Sequence, residues 1–407
     1  MTTRHRIRVN QLRVGAPLPV DIYDGNNRLL LRRGNIIATE LQLERLIDEG
    51  LYSDQPLPSP ARAEGHDASA GSTEPGDDDP FVDGALTRSP AKATARVSIY
   101  AEVAAAARTL ETLLCAPEAN PTFADDVADL ANVLGRACRL DPDAALAYVM
   151  FAREVRYPIR QAISVAIISA LLLTRMNNDG ARTRAAVCAA LTMNLSIQAL
   201  QDVLYRQQAM TDAQHKEIHE HPLQSAAQLA SLGVSDPVWL AIVEQHHEFI
   251  DGSGYPNKLA GAAVLREACV ISLADRYCAT VTERAYRAAI APDAAIMHIR
   301  TRSGSAIEPA LVDELVHWVG MYPPGTVVEL VNRDVAVVTR RLRDPRHPVV
   351  YAVAGQSLRP FEWPRKRLTA SQPHFHIERV FPRETIKFPV DPESLWPRTV
   401  TDDDAAA

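Results

Sequence analysis

The stretch that decides the fold runs from residue 246 to residue 256 and reads HHEFIDGSGYP. It opens with two adjacent histidines and closes in a glycine-rich turn that leads into Tyr255 and Pro256. Apolar residues at positions 240, 243 and 250 form one stripe at helical spacing, and His247 lies within that stripe. We therefore expect this part of the chain to carry an imidazole into the interior of a helical domain.

Two neighbouring segments repeat this pattern of a polar residue on an apolar stripe. His221 interrupts the stripe over residues 218–232, and Asp275 interrupts the stripe over residues 264–278. A buried, ionised carboxylate is costly without a partner, and imidazole with carboxylate is a ligand set for Fe, Mn, Zn or Mg. Each histidine taken alone also fits a hydrogen-bonded core residue, and Asp275 also fits a pair with Arg276.

The rest of the chain divides by composition. Its 407 residues suffice for two or three domains. Short alternating runs around a turn at 24–27, followed by helical spacing after Thr39, predict a small α+β module, and β-branched runs return after Gly320. The predicted organisation is a multidomain, mainly all-α chain with these parts: N-terminal α+β module 1–52, flexible acidic linker 53–96, helical domain 97–325, small C-terminal β-rich element 326–390 and tail 391–407.

Charge and cysteine content narrow the class of protein. A net charge of -7 gives no general basic field for nucleic acid, so no nucleic-acid partner is expected. Five scattered cysteines suit reduced core thiols in a reducing compartment. No signal-peptide pattern opens the chain, and the longest apolar stretch, 162–173, is too short to span a bilayer. We expect a cytoplasmic protein without a transmembrane segment.

The run at 246–256 resembles the signature of the HD-GYP family, together with His221-Pro222 before it and residues 274–279 after it. HD-GYP proteins are bacterial metal-dependent hydrolases of the signalling dinucleotide cyclic di-GMP, and the resemblance covers roughly residues 157–325. It implies an HD-type helical fold. It also implies four metal ligands, which are His221, His246, His247 and Asp275. The ligand-binding residues that it implies are Arg284 and Arg287 for the phosphates and Tyr255 for a guanine. The two arginines are expected one helical turn apart.

The resemblance is incomplete at three polar elements of the family pattern, one of which is a pair of residues. The His-Asp pair that names the family falls on Met193 and Asn194, a substrate-facing lysine falls on Ile197, and a further histidine falls on Gln161. An aspartate can bridge two metals, whereas asparagine offers one neutral carbonyl and methionine a soft thioether. We therefore expect at most one divalent metal ion (Fe, Mn, Mg or Zn) and no bridged two-metal hydrolysis.

Two hypotheses for the function follow. In the first, the domain is a degenerate hydrolase that binds cyclic di-GMP, or a partner such as a cyclase domain or another signalling protein, without turnover. In the second, it remains a metal-dependent phosphodiesterase of cyclic di-GMP with an impaired site. The simultaneous loss of three expected polar elements favours the first.

Overall fold

A computed structural model describes residues 5–6, 12, 18–23, 29–35, 52–53, 96–285, 287, 289–381, 383, 386–396 and 399–400. The chain divides into two compact units, Met1–Ala91 and Lys92–Ala407. The helix predicted after Thr39, the predicted linker between 54 and 95, and the end of the tail from 401 lie outside the described residues.

The first unit contains a small antiparallel sheet. Its strands are β1 (His5–Arg6), β2 (Ile22–Tyr23), β3 (Leu29–Leu31) and β4 (Tyr52–Ser53), in the spatial order β1-β4-β2-β3. The antiparallel pairing of β2 with β3 confirms the hairpin predicted around residues 24–27. Ile22 is fully buried, so even these short strands have a core side.

The second unit is mainly helical. Its helices are α1 (Ile99–Cys115), α2 (Phe123–Leu140), α3 (Pro142–Phe151), α4 (Tyr157–Arg175), α5 (Gly180–Thr192), α6 (Gln198–Arg206), α7 (Asp212–Ser231), α8 (Pro237–Gln245), α9 (Arg266–Val281), α10 (Pro292–Ser303), α11 (Pro309–Val319) and the short α12 (Pro392–Leu395). Thr211 and Gln214 form a capping box on α7, and the Asp236 carboxylate caps α8.

Helix α4 is the centre of this unit. Every residue from Tyr157 to Leu173 is buried, as expected for a helix that is apolar on all sides. Two stretches, Tyr157–Arg175 and Gly180–Arg206, have the length and apolar composition of a membrane span. Both are longer than the apolar stretch 162–173 noted in the sequence. Because 94% of the first window is buried within the domain, α4 acts as a core helix.

A five-stranded antiparallel sheet follows the helices and confirms the predicted β element. It consists of β6 (Val327–Leu330), β7 (Val335–Arg340), β8 (Val349–Ala354), β9 (Pro360–Leu368) and β10 (Ile377–Val380), in the order β10-β6-β7-β8-β9. Alternate residues of β7 face opposite sides: Val335 and Val337 join the helical core, and Ala336 and Val338 join a second small core. A two-stranded pair, β5 (Arg96–Val97) with β11 (Thr399–Val400), lies in the same unit.

Candidate metal centre

Three imidazoles meet at one point of the helical domain. His221 lies on α7, and His246 and His247 follow α8 directly. One ring nitrogen from each lies within 4.8 Å of the others. The helical stripe predicted for His247 is wrong, because α8 ends at Gln245 and both histidines lie in the turn that follows.

The hydrogen bonds of two of these rings fix their tautomers. His221 Nδ1 lies 2.5 Å from the carbonyl oxygen of Ile218, and His246 Nδ1 lies 2.6 Å from that of Val243. A carbonyl only accepts, so both Nδ1 atoms carry the hydrogen and both Nε2 atoms carry a lone pair. These two Nε2 atoms are 3.1 Å apart. Two lone pairs at that distance require a shared cation or proton, and an N–H donated to a backbone carbonyl is the usual support of a metal-bound imidazole.

The protonation state of the cluster agrees with metal binding. Burial is the main cause that lowers the pKa of His221 to about 3 and that of His246 to about 4. Burial likewise lowers the pKa of His247 well below its usual value, and its two neighbouring imidazoles lower it further. All three rings are therefore neutral at pH 7, and neutral imidazole is the form that binds a metal ion.

Asp275 lies on α9, outside the group of three histidines. Its Oδ1 accepts a hydrogen bond of 2.8 Å from Nε2 of Gln161, on the buried helix α4. Burial raises the pKa of Asp275, and the bond from Gln161 is the largest effect that opposes this rise. Gln161, which stands where the resemblance implies a histidine, therefore orients the carboxylate. The role of Asp275 as a ligand remains a prediction.

Met193 and Asn194 form the turn after α5. The turn is held on both sides, since Trp239 Nε1 donates to the Thr192 hydroxyl at 2.9 Å and the Ser196 hydroxyl donates to the His221 carbonyl at 3.3 Å. It therefore lies beside the helix that carries His221. Met193 is 1% exposed, so this thioether is part of the core.

The loop with Tyr255 closes over the cluster. A Cβ atom on Gly254 would lie 2.5 Å from the Cα atom of Glu248 and from the backbone nitrogen of Phe249, so only glycine fits there. The ring of Tyr255 stacks on His247 with 4.7 Å between the centroids, and it lies 4.3 Å from the ring of His219. Tyr255 therefore covers one side of the candidate metal centre.

Glu248 and His219 are the residues that the sequence analysis missed. Glu248 is 1% exposed, and its two carboxylate oxygens accept hydrogen bonds from the backbone N–H groups of Asn257, at 2.6 Å, and Leu259, at 3.0 Å. It thereby fastens the loop onto the histidine turn. Its position directly after two adjacent histidines was the available signal. His219 has an exposed position on α7, and nothing in its sequence context indicated its contact with Tyr255.

The two arginines do not lie on a helix, so the expected helical turn between them is wrong. Helix α9 ends at Val281 because Thr282 takes an extended backbone, and Arg284 pairs with Arg287 as an antiparallel bridge. The Arg284 guanidinium donates to the hydroxyl of Tyr157, at the start of α4, and its charge lowers the pKa of Asp275. Arg287 donates to the carbonyl of Ala279. Their role in phosphate binding remains a prediction.

The chain has recognisable relatives over its helical part. Residues 146–311 match the family described as HD domain. A cyclic di-GMP phosphodiesterase of Pseudomonas aeruginosa is 25% identical over 234 residues, which cover 56% of each chain. A cyclic di-GMP phosphodiesterase of Vibrio cholerae is 36% identical over 119 residues, 27% of this chain and 24% of the relative. A solved HDG"Y"P protein from Bdellovibrio bacteriovorus has a TM-score of 0.47 at 16% identity, over 77% of this chain and 98% of that one.

The sequence matches show an HD domain over residues 146–311 and support its assignment to the HD-GYP family. The alignment covers only about half of the Pseudomonas relative and a quarter of the Vibrio relative.

Proposed function

We propose that this chain is a cyclic di-GMP signalling protein whose HD-GYP domain holds one divalent metal ion, binds the dinucleotide and does not turn it over efficiently. The observation that carries the proposal is the group of three neutral imidazoles within 4.8 Å, beside a turn that contains Met193 and Asn194. The names of the relatives supply the substrate class. The turn with Met193 and Asn194 is the reason to propose binding without efficient hydrolysis.

The metal ion would be held by His221, His246 and His247, with Asp275 as the fourth ligand. A set of three imidazoles and a carboxylate fits Fe, Mn, Zn or Mg. Two of the imidazoles are already oriented for an ion, because they donate Nδ1–H to carbonyls and present Nε2 to each other at 3.1 Å. Such an ion supplies a Lewis acid for a phosphate oxygen. A second, bridged ion would need an anionic oxygen from the turn after α5, and that turn offers a thioether and a neutral amide.

The ligand would meet three residues of the same region. Arg284 would bind a phosphate near the metal, which is supported by its contact with Tyr157 and by the effect of its charge on Asp275. Arg287 would contact the second phosphate from the same turn. A guanine would stack on the ring of Tyr255 and displace the exposed His219, whose ring lies 4.3 Å from it.

Calorimetric titration with cyclic di-GMP tests the binding half of this proposal. Arg284→Ala should weaken binding by about tenfold to a hundredfold, and Arg284→Lys should restore part of the loss, because lysine keeps the charge without the bidentate fork. Arg343→Ala is the matched control, since Arg343 is exposed in the loop between β7 and β8. A wild-type chain that shows no binding at high micromolar ligand, with or without metal, would refute the nucleotide-binding role.

A chromatographic assay with Mn, Fe or Mg tests the catalytic half. We expect absent or very slow hydrolysis of cyclic di-GMP. The second hypothesis, an active metal-dependent phosphodiesterase, draws its support from the intact histidine cluster and from the activity named for the relatives. Robust turnover that is lost in Asp275→Ala would establish it in place of the first.

A further inference from the structure

A cavity of the helical unit lies away from the histidine cluster. It has a volume of about 810 Å³, is open to solvent and is lined by α2, the end of α4 and the first half of α5. Thr174 lines it, whereas Gln161, the residue of α4 that bonds Asp275, lies thirteen positions earlier on the same helix. At a rise of about 1.5 Å per residue, the two positions are roughly 20 Å apart. A cavity of this size accommodates a nucleotide-sized ligand.

The charged residues of the cavity wall all have the same sign. Arg136, Arg139 and Arg184 line it, and no aspartate or glutamate does. Arg136 has an ion-pair partner, Glu102, at 2.8 Å. Within residues 96–285, which the structure describes without a gap, neither Arg139 nor Arg184 has a hydrogen bond or an ion pair. The wall thus presents two guanidinium groups whose donors are not used by the protein.

The acids next to the cavity are already engaged. The Glu267 carboxylate is bound by two nitrogens of Arg182, at 2.7 and 2.8 Å, and by Asn178. The Asp179 side chain caps α5 by accepting from the backbone nitrogen of Arg182. Neither carboxylate therefore neutralises Arg139 or Arg184.

A glycine inside α2 opens the space in front of one arginine. Gly135 lies in the interior of this helix, where glycine costs about 1 kcal/mol relative to alanine. A Cβ atom there would lie 3.4 Å from Nη1 of Arg139, so the guanidinium lies over the glycine. The absent side chain keeps room for both the guanidinium and a ligand that it would bind.

We propose that this cavity is a second ligand site, which takes a small molecule bearing a phosphate or diphosphate group. Guanidinium groups recognise phosphate through paired N–H donors, and Asn132, Asn177 and Thr183 add polar groups on the same wall. The site is independent of the metal centre and of the function proposed above. Its ligand is defined by charge and size, and the arginines supply the charge selectivity.

Titration calorimetry of the full-length chain with pyrophosphate tests this site. A chelator is present, so that no metal at the histidines contributes. We expect saturable binding with a dissociation constant below about 1 mM, weakened about tenfold or more in Arg139→Ala and in Arg184→Ala. Arg343→Ala removes the same charge from an exposed position outside the cavity and should leave the affinity unchanged.

Gly135→Leu provides a test that leaves the charge unchanged. It replaces a poor helix former by a good one and puts a bulky side chain against the Arg139 guanidinium, so it should weaken pyrophosphate binding about tenfold or more while the helical melt is retained. No saturable heat from the wild type, an equal loss in Arg343→Ala, or full binding in the double variant Arg139→Ala/Arg184→Ala would overturn the proposal.

Discussion

The candidate metal centre depends on the orientation of individual side chains. His221 and His246 each donate Nδ1–H to a carbonyl three residues earlier, and this leaves two Nε2 lone pairs facing each other at 3.1 Å. Gln161 orients Asp275 in the same way, by donating to Oδ1. Hydrogen bonds of this kind hold metal ligands in place and set which nitrogen faces the ion.

Glu248→Ala tests this support at the residue scale. The change removes the acceptor of two backbone N–H groups in the loop 251–259, so the free energy of unfolding should fall by about 2–3 kcal/mol and the retained metal should decrease. Urea denaturation and elemental analysis of the same preparation measure both effects. Glu244→Ala, on the preceding helix, is the control and should stay within about 0.5 kcal/mol of the wild type. If the two variants had the same stability and the same metal content, Glu248 would not support the metal centre.

The sequence analysis singled out the three histidines that the structure brings together, but not their arrangement. His221 was placed correctly because a helix has a fixed period, and the stripe over 218–232 coincides with α7. His247 was misplaced because its helix ends two residues earlier, and Arg284 was misplaced because α9 ends at Val281. Helix ends depend on local backbone choices that periodicity does not reveal. The bond from Gln161 to Asp275 joins residues 114 positions apart, and no local pattern encodes it.

At the scale of elements, the C-terminal sheet is fastened to the helices by ion pairs. Asp141 caps α3 by accepting from Ala144 at 3.0 Å, and it accepts from two nitrogens of Arg340 at the end of β7. A second ion pair extends this contact, since Arg341, directly after β7, binds Asp143 in the first turn of α3. Asp141 is 4% exposed, so its charge depends on these partners.

Asp141→Ala should therefore lower the free energy of unfolding by about 2–3 kcal/mol, through the lost cap and the unpaired Arg340. The value is below that for a fully buried pair because the Arg340 side chain is 39% exposed. Asp344→Ala, which breaks an exposed pair with Arg346, should have a much smaller effect because solvent screens that pair. Guanidinium denaturation compares the two variants, and a similar small effect of both would show that the sheet is held by its apolar face alone.

At the scale of the whole molecule, the division into the units Met1–Ala91 and Lys92–Ala407 gives the second unit a core of its own. The pair of β5 with β11 shows where such a unit must begin, because Arg96 and Val97 pair with residues near the C-terminus. The sequence had placed the end of the linker at 96, so a cut before Val97 would remove half of β5.

A chain of residues 92–407 should fold by itself and melt in one cooperative helical transition, since the core cluster of the described helical residues draws its members from Ile99 to Trp396. Circular dichroism against temperature measures this. A chain cut at 97 is the comparison and should melt at a lower temperature because β5 is broken. An insoluble or non-cooperative 92–407 chain would mean that the first unit supplies part of the second unit's core.

Our central proposal is that the histidines hold at most one metal ion, because the turn after α5 presents Met193 and Asn194 where a second, bridged ion would need an anionic oxygen. Elemental analysis of the purified full-length chain tests it most directly. We predict at most one tightly held divalent metal per chain, none in His246→Ala, and a second metal in the double variant Met193→His/Asn194→Asp, with each variant's fold checked by its helical melt. Two stoichiometric metals in the wild type, both lost in His246→Ala, would contradict the account.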